Sequence, residues 1–98
     1  MILQFEQEAL EEYREAAFYS EERFGLGEAF VQAMQAALET ISCDPARFQS
    51  VGDGVRIFRL KRFPYYLYYY YHMQRETITI YAVAHHRRRP DYWRQRMR

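Results

Sequence analysis

Apolar positions recur at helical spacing in the first half of this chain and at strand spacing in the second, and the change falls at Pro45. Ile2, Leu3 and Phe5 predict a short opening strand. Ala9, Leu10, Tyr13, Ala16 and Ala17 then return at intervals of three and four, while Glu11, Glu12, Arg14 and Glu15 fill the opposite face, which predicts an amphipathic helix. The pattern stops near Phe24, where Gly25 suits the left-handed position after a helix and Gly27 can open the next one. Phe30, Ala33, Met34, Ala37, Leu38 and Ile41 form a second apolar stripe. Ser42-Cys43-Asp44-Pro45 ends it, because the residue before a proline avoids the α region. The two segments predict an antiparallel helical hairpin whose glutamates face solvent, with Cys43 a small buried apolar residue at the helix end.

Beyond Pro45 the reading is of strands. Gly52-Asp53-Gly54 marks a turn, and Val55 to Arg62 predicts a strand whose imperfect alternation suggests a bulge. Pro64 cannot donate a ladder hydrogen bond and belongs at a strand start or on an edge. Tyr65 to Tyr71 is strongly β-prone; Leu67, Tyr69 and Tyr71 share one face, and Tyr66, Tyr68, Tyr70 and His72 the other. Met73 to Glu76 predicts a hairpin loop. In the last strand, Thr77 to Ala84, strict alternation puts Ile78, Ile80, Ala82 and Ala84 on one face and Thr77, Thr79, Tyr81 and Val83 on the other. The order is β-α-α-β-β-β with a short basic C-terminal tail or helix: a single α+β domain over residues 1–98, its N-terminal strand and helical hairpin packed on a small antiparallel sheet.

Charge sharpens this picture. Residues 1–45 hold ten acidic groups against two basic, a balance of −8; residues 46–98 hold three against twelve, a balance of +9, leaving the net charge at +1. Such a split suits one basic face turned to an anionic partner. No run approaches the roughly 18 apolar residues of a membrane span, and the start lacks the basic and apolar regions of a signal peptide. One cysteine excludes an internal disulfide and a cysteine zinc cluster, so a reducing cytoplasm is expected, with no metal or cofactor. No serine nucleophile motif, phosphate-binding glycine loop or paired carboxylates are present.

Three local patterns carry a resemblance. Val55-Arg56-Ile57-Phe58-Arg59-Leu60 precedes Phe63-Pro64-Tyr65; that tripeptide leads to Tyr69; and Ile80-Tyr81-Ala82-Val83-Ala84-His85 leads through Arg87-Arg88 to Pro90, Tyr92 and Trp93. Together they resemble the RelE/ParE superfamily of bacterial type II toxins, in its ParE-like subgroup; the third, an I-x-A-V-x-H-x-x-R-x-P-x-Y-W ending, is the most specific. The resemblance implies a toxin associated with plasmid stabilisation that inhibits DNA gyrase and is neutralised by a cognate, ParD-like antitoxin. The alternative it implies is a RelE-like ribosome-dependent mRNA interferase, and a third is a non-toxic member that only binds antitoxin. Fold alone does not choose among them.

Candidate residues follow from these readings. RNA cleavage needs groups that activate a 2′-hydroxyl and cations that stabilise the charged phosphorane; Arg59, Lys61, Arg62, His86, Arg87, Arg88 and Tyr92 supply them. RelE-like members, however, carry an arginine at the strand start where this chain has Pro64-Tyr65-Tyr66. For antitoxin binding the candidates are Arg56, Arg59, Arg62, Tyr66, Tyr68, Arg87, Arg88 and Arg89, which would meet acidic residues of an antitoxin segment that folds on binding. For the target they are Arg88, Tyr92, Trp93 and Arg94 in the tail. His85 and His86 should point to opposite faces, with His85 buried at the sheet end and His86 exposed among the arginines.

Overall fold

A computed structural model describes residues 1–97. The helical period is realised in α1 (Gln7–Phe24) and α2 (Gly27–Cys43). Glu6 caps α1, its side chain accepting the Glu8 and Ala9 amides at 2.9 and 3.3 Å. Gly25, at φ +68°, ends the helix by donating to the Glu21 carbonyl at 2.9 Å. Phe30, Met34 and Ile41 of α2 are fully buried, each contributing about 1.5–3 kcal/mol by leaving water. They meet Ala9 and Ala16 of α1 in a core that also takes Leu67, Tyr69, Ile78, Ile80 and Val83 from the sheet. Cys43 is exposed, not buried as expected, because it lies off the stripe of Met34, Ala37 and Ile41. Among the described residues no helix is long and apolar enough to cross a membrane.

The sheet has five strands: β1 (Ile2–Phe5), β2 (Gln49–Gly52), β3 (Val55–Arg59), β4 (Tyr65–His72) and β5 (Thr77–His85), in spatial order β1-β5-β4-β3-β2. The α+β class and element order stand, with two refinements. β1 lies parallel to β5, making the sheet mixed. Gln49–Gly52 is an additional strand, the second in sequence, so the expected turn closes a β2–β3 hairpin. That turn runs through positive φ at all three residues, and at Gly54 a side chain would collide with the Tyr70 ring at 2.7 Å. β3 ends at Arg59, short of Arg62, because the chain turns at Arg62 with φ +73°. Pro64 precedes β4 as its missing amide requires.

β3 itself holds no extra residue; the irregularity in its ladder lies opposite, at Val51 of β2, where the pairing slips between Ser50 and Gly52, and a second lies in β5. In β5 the pairing slips between Tyr68/Tyr69 and Ala82/Ile80, leaving Tyr81 as the extra residue. One inserted residue reverses every side chain beyond it. Ile78 and Ile80 face the helices as expected, but so does Val83, while Ala82 and Ala84 face the opposite side. β3 alternates poorly for a different reason: both its faces are covered. Phe58 and Leu60 meet the helices, and Val55 and Ile57 meet a second core.

That second core is made by the tail, which turns back over the sheet as a short 3-10 helix at Tyr92–Arg96. Trp93 is fully buried among Val55, Ile57, Tyr68, Ala82 and Ala84, and its indole donates to the Pro90 carbonyl at 2.8 Å.

Candidate functional site

The tail is held by a polar network that the sequence pattern does not disclose. β1 pairs with β5 only as far as Ile80, so the outer edge of β5 beyond it has no strand neighbour. Glu12 of α1 and Arg96 of the tail occupy that edge. Glu12 Oε1 accepts from the Val83 amide (3.0 Å) and Arg96 Nη1 (2.9 Å); its Oε2 accepts from the Tyr92 hydroxyl (2.7 Å) and Arg96 Nη2 (2.9 Å). Arg96 also donates to the Tyr81 carbonyl at 2.9 Å, so the Val83 amide and the Tyr81 carbonyl of this edge both have side-chain partners. The Arg96 side chain is 6% exposed and that of Glu12 13%. The bond to Glu12 holds the Arg96 guanidinium charged, and burial followed by that same carboxylate pushes the Tyr92 phenol well above its ordinary value. The glutamates of the first helix are therefore not all solvated.

These contacts correct several expectations. Tyr92 and Trp93, candidates for a target contact, are buried because the tail folds back on the sheet: Trp93 is core, and Tyr92 is 8% exposed with its hydroxyl engaged. Arg94 is half-buried, paired with Asp53, bonded to the Val51 carbonyl at 2.9 Å and stacked on Trp93. Arg88 alone of the proposed target contacts is a free surface residue, its guanidinium lying 4.0 Å over the Tyr92 ring. Tyr68, proposed for an antitoxin, is 3% exposed beneath Trp93, with ring centroids 5.2 Å apart. Arg56 is half-buried and donates to the Phe48 carbonyl at 2.6 Å. His85 is exposed, not buried, and the two histidine rings lie 4.6 Å apart on one side instead of on opposite faces, because β5 ends at His85 and the chain turns. Desolvation, then His86 and Arg87, hold the His85 imidazole below its ordinary pKa.

The remaining candidates gather at one end of the sheet. The loop after β3 presents Lys61 and Arg62, and the end of β5 presents His86, Arg87, Arg88 and Arg89, all exposed. The His86 amide donates to the Pro64 carbonyl at 2.8 Å, which ties the two loops together. Arg59 lies over the half-buried Tyr66 ring at 5.4 Å and donates to Gln49 at 3.2 Å. For RNA cleavage the cations are present, but the Tyr92 hydroxyl is committed to Glu12.

From this end a groove of about 850 Å³ runs between α2 and β3. Small residues of α2, among them Ala29, Ala33 and Ala36, form one wall; Phe48 and Phe58, edge to face at 5.0 Å, form the other. Arg47, Arg59, Lys61 and Arg62 line its rim. The sequence reading named Arg59, Lys61 and Arg62 of this rim but neither Arg47 nor the groove, since Ala29 and Ala36 lie off the apolar stripe of α2 and Ala33 reads as part of it.

Residues 3–90 match the family described as ParE toxin of type II toxin-antitoxin system, parDE. The chain belongs to the ParE toxin family. No curated protein matches it. Among solved structures it is similar to a chain of the chromosomal ParDE TA system from P. aeruginosa, at 19% identity and a TM-score of 0.64, covering 87% of this chain and 95% of that one. At that identity the likeness concerns the ParE fold: two helices on one face of a five-stranded sheet.

Proposed function

We propose that this ParE-family chain is a toxin that binds DNA gyrase and arrests replication, and that a cognate antitoxin neutralises it by laying an amphipathic helix in the groove between α2 and β3. The observation that carries the antitoxin half is the groove itself, apolar within and bordered by Arg47, Arg59, Lys61 and Arg62. A helix with small and aliphatic residues on one face and carboxylates beside them complements it in shape and charge. Such a segment, too polar to bury a core alone, is disordered when free and orders on the toxin. The solved P. aeruginosa relative is a ParDE toxin–antitoxin system, which supports the same kind of pairing here. Family membership supports gyrase as the target.

The test is DNA supercoiling by purified gyrase with the toxin alone and with its antitoxin. Inhibition that antitoxin reverses supports both halves. A toxin that halts growth yet leaves gyrase untouched removes the gyrase half and directs the search to mRNA cleavage on programmed ribosomes. Expression without effect on growth removes the toxin reading altogether.

A further inference from the structure

Beside the basic end of the sheet, on the side of α1 and away from the antitoxin groove, lies a notch of about 230 Å³. Val83 is at its buried floor, Tyr19 and Tyr65 present phenol rings, and His85, Arg88 and Glu15 complete it. The volume falls below the roughly 300–1,000 Å³ of sites that hold whole small molecules, so it suits a single planar group. The His85 ring stands edge-on to Tyr65 at 5.5 Å and lies 4.6 Å from His86. Tyr19 is 51% exposed and forms an open wall.

Arg88 on the rim of the notch and Arg87 and Arg89 beside it are in no strong ion pair among the described residues. Of the exposed run Arg87 to Arg89, only Arg89 is in an ion pair among the described residues, with Asp91 at 3.8 Å between two exposed groups, a pairing of little weight. Arg88 rests on the Tyr92 ring, a neutral partner. Two carboxylates also line the notch. Glu12 is saturated by four donors, whereas Glu15 is exposed and in no ion pair among the described residues. An aromatic slot with one free acceptor, next to free arginines, asks for a planar ring carrying an amino group and joined to a phosphate.

We propose that this notch holds one amino-bearing base of an unpaired nucleic-acid strand, with Arg87, Arg88 and Arg89 on the neighbouring phosphates. Aromatic rings among arginines bind unpaired bases by stacking, and the arginines add salt-dependent affinity. Glu15 accepts from the exocyclic amino group, as carboxylates do from cytosine N4. These groups recognise phosphate charge and base faces, which DNA and RNA share, so both strands bind within a few-fold of each other. The proposal stands apart from the gyrase reading.

Fluorescence anisotropy of the purified full chain with labelled oligo-dC, oligo-dT, oligo-rC and a duplex, all of one length and titrated with salt, tests it without gyrase, so the two readings fail separately. Oligo-dC and oligo-rC are expected to bind, oligo-dT and duplex several-fold more weakly. Tyr19→Ala loses about five-fold or more of the oligo-dC affinity, while Tyr19→Phe retains it. Arg87→Gln and Arg89→Gln each flatten the salt slope by roughly 0.7. Glu15→Ala lowers oligo-dC affinity to that of oligo-dT while leaving oligo-dT binding unweakened, an outcome loss of fold would not produce. No binding at low salt, equal affinity for duplex, equal affinity for oligo-dT, or an unaltered Tyr19→Ala each overturn the proposal.

Discussion

Each oxygen of the Glu12 carboxylate accepts two hydrogen bonds, so removing it strands the Arg96 guanidinium in a site where 6% of its side chain meets solvent. Breaking one side of a buried pair is far more destabilising than replacing both. Glu12→Ala is therefore expected to cost about 3–5 kcal/mol in urea unfolding, and Glu12→Leu with Arg96→Met to recover part of that. Tyr69 makes a different residue-scale prediction. Its buried hydroxyl donates to the Pro45 carbonyl at 2.6 Å, and burial, opposed by Arg56 and aided by Asp44, pushes its pKa up to about 12. The unfolded phenol titrates near 10. The contribution is complete below pH 10 and lost as pH rises from there through about 12. Tyr69→Phe should cost about 1 kcal/mol at neutral pH and flatten the alkaline decline in unfolding free energy. The sequence placed Tyr69 on one strand face with Leu67 and Tyr71 but gave no sign that Glu12 differs from Glu11 or Glu15, since these three acids share the same local pattern.

At the scale of elements, the C-terminal segment acts as a third layer on a sheet whose other face carries the helices. Its seat depends on small residues: Ala82 and Ala84 are buried in the cluster with Trp93, and a larger side chain there would compete for its place. Ala84→Leu is expected to destabilise by about 1–3 kcal/mol and Trp93→Ala by about 3–5 kcal/mol. Trp93 is the sole tryptophan, so its emission reports this element alone. Ala84→Leu and Glu12→Ala should shift that emission to the red, toward solvent, at temperatures where helical circular dichroism persists; unchanged emission in both would show that the tail does not depend on these supports. The β5 bulge is what brings the alanines to this face. Strict alternation placed Ala82 and Ala84 with Ile78 and Ile80, because an inserted residue leaves no mark in the period itself.

The whole molecule is polarised, with acids over the helical hairpin and arginines around one end of the sheet and the groove beside it. Arg59→Glu with Arg62→Glu should weaken antitoxin binding at least ten-fold and reduce its salt dependence, as measured by calorimetry at several ionic strengths. Ala33→Phe, filling the groove from a partly exposed position, should block the antitoxin while leaving the unfolding midpoint nearly unchanged; full affinity in this variant would place the antitoxin elsewhere. The sequence by itself determined the number and order of the helices, the β4–β5 pair, the turns at Gly25, Gly54 and Pro64, and the tail pattern through Arg88, Pro90 and Trp93. These follow from propensities and spacings that act over a few residues. Only the tertiary structure decided that β1 joins the sheet in parallel, that Trp93 is core, that α2 leaves a groove beside β3, and that Glu12 meets Arg96 across 84 residues. Those outcomes depend on which surfaces remain uncovered once the elements pack, and a periodicity read along the chain does not contain that information.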